Sequence, residues 1–149
     1  MSIDFGVPIP FVDHLGMTLE RFEDGQSELH YRPRPEHGNS FGVAHGGALM
    51  TFLDVVMAHA ARSTQPADFG AVTIEMKTSF MRPALLAPDA VLRGLGQLMH
   101  RTRSMAFVEG RILDAQGQLC AQATGTFKFV PRPATDASPA AREPKGAPA

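Results

Sequence analysis

Residues 39–63 read NSFGVAHGGALMTFLDVVMAHAARS, a polar, glycine-punctuated loop running straight into a long apolar stretch. From Ala48 to Arg62 there is no proline or glycine, which makes this segment the long helix candidate of the chain. Stepping ~100° per residue, its apolar residues go all the way round: Leu49, Met50, Phe52, Leu53, Val55, Val56, Met57, Ala58 and Ala60. A helix apolar on every face is expected to be buried on every face. In a chain of 149 residues only a sheet wrapped around it can do that. One carboxylate, Asp54, sits inside the run, and burying it costs several kcal/mol unless it is paired or neutralised.

The flanking segments supply such a sheet. PIPFVDHLGM predicts a short helix, with Pro10 suited to its first turn and Gly16 to the left-handed residue past its end. MTLERFEDGQSELHYRP reads as a hairpin about Asp24-Gly25. The two prolines and two glycines of RPRPEHGNSFG predict a loop. AVTIEMKTSFMR alternates, placing Val72, Ile74, Met76 and Phe80 on one side and Thr73, Glu75, Lys77 and Ser79 on the other. AVLRGLGQLMH reads as a further strand, and MAFVEGRIL and LCAQATGTFKFV as a second hairpin about DAQGQ. The expected fold is α+β: an antiparallel sheet of five to six strands around one long central helix. A single domain over residues 1–130 and a disordered Pro/Ala-rich tail over 131–149 complete the expectation. Such a sheet has edge strands, and pairing them edge to edge in a dimer is a common remedy.

Composition narrows the function classes. Hydrophobic residues make up 44% of the chain, charged residues 19%, and the formal net charge is −1. That balance gives no reason to expect nucleic acid or a membrane as partner. With one cysteine, Cys120, no intrachain disulfide is possible. The start carries no Lys or Arg before Arg21 and no long apolar run, so no signal peptide is expected and a cytoplasmic location is.

His45-Gly46-Gly47 lies at the helix start. The first amides of a helix lack internal partners and the macrodipole is positive there, so the site suits an oxyanion or a polarised carbonyl oxygen. The glycines also fit a simple tight turn into the helix. Asp54 is about two turns further on, and its helical neighbours Met50, Met57, Ala58 and Ala61 cannot neutralise it. It reads either as an acid satisfied by a nearby backbone amide or as a general base, since an apolar setting raises the pKa of a carboxylic acid toward neutrality. His37, His45 and His59 match no compact metal-ligand spacing, so no metal is expected. Cys120 falls on the polar-alternating side of its strand with no adjacent His, which does not suit a thiol nucleophile. His100-Arg101-Thr102-Arg103 is the densest basic cluster, either a solvated strand end or a phosphate clamp. Met50, Met57, Met76, Met81, Met99 and Phe80 fit an adaptable pocket or an ordinary core.

Together these pieces resemble one family, the hotdog-fold acyl-CoA thioesterases of the phenylacetate-degradation (PaaI-like) group. The family loop has the form H-x-N-x-x-G-x-x-H-G-G followed by a helical Asp. Here it reads His37-Gly38-Asn39-Ser40-Phe41-Gly42-Val43-Ala44-His45-Gly46-Gly47, with Asp54 nine residues after His45. The resemblance implies that the Gly46 amide polarises a thioester carbonyl, that Asn39 and His45 position the thioester and water, and that Asp54 acts as general base or nucleophile across a subunit interface. It further implies that Thr73 orients the water and that Gly47, Arg101 and Arg103 bind substrate, the arginines near the coenzyme A phosphates. Homodimers with shared sites, assembled into a homotetramer, are expected. No cofactor is expected, coenzyme A being part of the substrate. A non-catalytic acyl-CoA binding or sensing protein and the dehydratase branch of the fold are the competing readings. The first needs neither Asp54 nor Thr73, and the second uses an Asp/His arrangement not found in this sequence.

Overall fold

The computed structural model describes residues 1–133. Helix α1 spans Pro10–Leu15, with Pro10 in its first turn and Gly16 closing it at φ 74°. Asp24 and Gly25, at φ 49° and 77°, give the double positive φ of a two-residue hairpin turn. They join β1 (Thr18–Glu23) to β2 (Gln26–Tyr31). The proline-rich loop is not wholly irregular: Pro35–His37 forms a 3-10 turn. Helix α2 spans Gly46–Arg62 and starts two residues before the expected Ala48, because His45 caps it and both glycines enter the first turn. Strands β3 (Phe69–Phe80), β4 (Leu92–Arg101), β5 (Met105–Leu113) and β6 (Leu119–Pro131) follow. All six strands form one antiparallel sheet in the order β1-β2-β4-β5-β6-β3, curled round α2. The sheet does not stop at residue 130: Pro131 pairs with Phe69, and the Arg132 amide donates to the Asp68 carbonyl at 2.7 Å. The expectation of a disordered tail otherwise falls on residues 134–149, which lie outside the described residues.

Helix and sheet meet closely because β4 carries glycines where side chains would collide with α2. A Cβ on Gly94 would lie 2.4 Å from Val56 Cγ2, and one on Gly96 would lie 2.7 Å from the Val56 carbonyl oxygen and 2.5 Å from Ser27 Oγ. The Ser27 hydroxyl already donates to that carbonyl at 2.6 Å. Gly96→Val therefore forces backbone apart in a core whose Phe52, Leu53, Val56, Met57 and Ala60 are fully buried. It is expected to destabilise the fold by about 3 kcal/mol, read as a lowered urea midpoint with an unchanged slope.

The structure corrects three expectations. First, α2 is not buried all round. Met50 is 39% exposed and Thr51, Asp54 and Ala58 are part-exposed. Gly46, Met50, Asp54 and Ala58 recur every four residues and so form one stripe, which the sheet covers only in part. Second, a bulge in β3 between Thr73 and Glu75 reverses its alternation. Thr73, Met76, Thr78 and Phe80 pair with Phe127, Gly125, Ala123 and Ala121 of the inner face of β6, whereas Val72 and Ile74 are 44% and 55% exposed. Third, Cys120 is fully buried rather than on the polar side, because the register of β6 slips between Leu119 and Ala121. Burial raises its thiol pKa, which suits a core thiol and not a nucleophile.

His59, buried near the end of α2, bonds the Val55 carbonyl through Nδ1 at 2.7 Å and packs edge-on to Phe5 and Phe22. Burial pushes its pKa down to about 4, against the opposing effect of the Val55 bond and with smaller contributions from Arg62 and Arg132. The unfolded chain therefore takes up a proton near pH 6.5 that the folded chain refuses until about pH 4. Stability carried by neutral His59 is complete above pH 6.5 and falls away as the pH drops to 4, by about 3 kcal/mol in total. Urea titrations at pH 7 and pH 4.5 are expected to differ clearly for the wild type and much less for His59→Leu.

Candidate active site

The loop before α2 is built by its own polar groups. Asn39 Oδ1 accepts from the Phe41 and Val43 amides at 2.9 and 3.2 Å, and the Asn39 and Val43 main chains pair at 2.8 Å. Gly42 turns the chain at φ 75°. The His45 amide then donates to the His37 carbonyl at 2.8 Å, and His45 Nδ1 accepts from the Gly47 amide at 2.8 Å as the helix N-cap. With Nδ1 accepting, the neutral imidazole carries its proton on Nε2. The Gly47 amide is thus occupied by the cap. The Gly46 amide has no hydrogen-bond partner among the described residues. It is an unbonded donor at the positive end of a 17-residue helix. Against Gly46 lies Phe80, whose ring would stand 3.6 Å from a Cβ placed there.

Asp54 faces the inner side of β3. The Thr73 hydroxyl donates to Asp54 Oδ1 at 2.6 Å, a short charge-assisted bond that fixes the carboxylate rotamer. The acid is therefore partnered, by a strand and not by its own helix, and it is part-exposed where the sequence suggested an apolar enclosure. Asp54 and Gly46 share the partly covered stripe but lie about 12 Å apart along the axis. Roughly two helical turns therefore separate the free donor from the acid within one chain.

A family model described as Thioesterase superfamily matches residues 41–121, from the loop through the helix and β3 to β6. The chain belongs to the thioesterase superfamily. It is similar to human acyl-coenzyme A thioesterase 13, at 28% identity over 111 residues, covering 74% of this chain and 77% of the human one. A conserved protein from Pseudomonas aeruginosa superposes with TM-score 0.77 at 27% identity, over 84% of this chain and 97% of that one. A mutant of the phenylacetic acid degradation protein PaaI of Thermus thermophilus gives 0.72 at 27% identity, over 80% and 98%. The hotdog fold and the PaaI-like grouping follow from these matches, and the protein is a thioester hydrolase. Among the described residues no helix is long and apolar enough to cross a membrane.

Not every residue singled out in the sequence is brought together by the fold. Asn39, His45, Gly46 and Gly47 assemble at the helix start, and Asp54 joins Thr73. Arg101 lies at the other end of α2. Its Nη1 donates to the Thr64 carbonyl and hydroxyl at 3.0 and 2.8 Å, and its guanidinium stacks 4.6 Å over Phe129. Arg103 is exposed beside it. The methionines separate as well: Met57 is core, Met50 lies on the stripe, and Met99 is 59% exposed on the outer face of the sheet. Phe80, read in the sequence as a pocket or core side chain, is the one that meets Gly46 at the helix start. The bulge that brings it to Gly46 has no signature in a run of alternating side chains. His37, His45 and His59 each engage a different partner, namely Tyr31, Gly47 and Val55.

Proposed function

We propose that the protein hydrolyses the thioester of an acyl- or aryl-coenzyme A to the free acid and coenzyme A, at a site shared by two copies of the chain. The unbonded Gly46 amide of one copy polarises the carbonyl. Asp54 of the other, aligned by Thr73, activates the water or attacks directly. Asn39 and His45 steady the thioester, and Gly47 contributes through its cap rather than through a contact of its own.

The observation that carries this reading is the partly covered stripe of α2, with its donor and its acid about 12 Å apart. A two-fold axis across that stripe sets each Gly46 opposite the partner's acid, because an isologous contact exchanges the two ends. Strand β3 favours the same contact. It is an edge strand of 12 residues with Val72 and Ile74 exposed, and such an edge is stabilised by pairing with another copy. Dimers of this kind assembled into a tetramer are part of the proposal, as are a cytoplasmic location and coenzyme A phosphates held near Arg103. Arg101 serves there as a fixed neighbouring charge.

A panel of short, medium-chain and aryl acyl-CoA esters read by free-thiol release tests the reading. Release from at least one ester is expected, with a mass in solution of at least a dimer. Tight binding without release across the panel would instead mark an acyl-CoA binding protein.

A further inference from the structure

Tyr31 lies on β2, the strand before the loop, and is 1% exposed. Its ring packs against Phe52 of α2, with centroids 5.3 Å apart. A phenol buried this deeply is uncommon without a bonding reason, and its oxygen lies 2.8 Å from His37 Nδ1. The same ring nitrogen is 3.1 Å from the Arg34 amide, which can only donate. Nδ1 is therefore an acceptor, the Tyr31 hydroxyl donates to it, and the imidazole proton sits on Nε2. Nε2 is buried and has no partner among the described residues. A buried donor left unsatisfied is a cost that folds retain at sites with a role, and here it comes with holding the ring in one tautomer and one orientation.

The consequence runs through the main chain. The His37 ring is held at Nδ1 by the Tyr31 hydroxyl and the Arg34 amide, and its carbonyl accepts the His45 amide at 2.8 Å. His45 in turn presents Nδ1 to Gly47 and sets the direction of the first helical amides. We infer that Tyr31 and His37 are positioning residues for the thioester-polarising amide of Gly46, coupling β2 to the helix start through the Tyr31 hydroxyl, the His37 ring and the His37 carbonyl. Neither residue touches the reacting atoms in this reading. Tyr31 keeps its proton throughout the working range, since burial lifts its pKa to about 12. Burial and Arg34 hold His37 toward its neutral form.

The inference rests on the proposed thioesterase site, and its test has a reading that needs no substrate. Tyr31→Phe keeps the ring and removes the hydroxyl. Amide hydrogen exchange of His45 and Gly47 in the full chain is expected to quicken at least tenfold, with Phe52 to Met57 in mid-helix unchanged. Turnover, taken per folded molecule at a temperature where circular dichroism shows no unfolding, is expected to fall about tenfold in kcat with KM within twofold. His37→Asn offers a side-chain oxygen where Nδ1 stood and is expected to restore most of the rate that His37→Ala loses. In the double variant Tyr31→Phe, His37→Ala the second change is expected to add nothing, as for two members of one unit. Unchanged exchange at His45 and Gly47 would overturn the inference whatever the activity. Faster exchange with kcat per folded molecule at the wild-type value would overturn it too. If the wild type releases no thiol from any ester, the proposed function fails, while the exchange result still decides the coupling.

Discussion

Asp54→Asn is expected to lower kcat by about a thousandfold while KM changes by no more than a few-fold. A general base contributes on the order of 10²–10⁴ to rate, and a group needed only in the transition state is lost from kcat rather than from binding. The exchange of carboxylate for amide is a sparing one here. The Asn oxygen can still accept from the Thr73 hydroxyl, which stands 2.6 Å from Oδ1 in the wild type, so the helix and β3 stay joined. Asp54 is part-exposed and makes no other side-chain bond among the described residues, so the melting temperature is expected to hold within a few degrees. Steady-state thiol release on the best ester of the panel, beside a thermal melt of each protein, is the measurement. Turnover within tenfold of wild type in both Asn and Ala variants would remove Asp54 from the mechanism.

Gly46→Pro is expected to cost about 10²–10³ in kcat with little loss of stability, the magnitude typical of deleting one polarising donor. Proline is ordinarily the wrong residue for a helix, but this position is the first of α2, where the amide has no helical partner in any case. The residue before a proline must be extended, and His45 already is, at φ −63° and ψ 138°. The proline ring thus meets a compatible backbone and removes one thing, the N–H that no described group satisfies. Gly46→Ala is the control. Its Cβ would stand 3.6 Å from the Phe80 ring, an ordinary contact, and the amide remains, so most of the activity should remain with it. A Pro variant as active as the Ala variant would show that the carbonyl is held elsewhere.

Much of the fold was legible because short-range rules wrote it. Pro10 and Gly16 bound α1, Asp24-Gly25 turns the first hairpin with both φ values positive, and the apolar run from Leu49 to Ala61 demands a sheet around it. The loop-and-helix spacing from His37 through Gly47 to Asp54 also pointed to the superfamily. These features depend on residues near each other in sequence, where propensity, capping and turn chemistry act.

The rest depended on which distant segments meet. The bulge in β3 turns Thr73 inward to Asp54 and brings Phe80 to Gly46, and a one-residue slip of this kind inverts every later side chain without altering the run of residue types. That Arg101 bonds Thr64 and stacks on Phe129 likewise could not be read from its basic cluster. Helix α2 looked buried on all sides because hydropathy reports that a face wants cover, not what covers it. Six strands cover most of the helix but leave Met50 exposed and Asp54 and Ala58 part-exposed. The sequence by itself determined the helix, the turns and the family, since each is a matter of local chemistry. Only the tertiary structure decided which amide stays unbonded, which hydroxyl holds the acid and how far apart they lie, because those follow from long-range register and close packing.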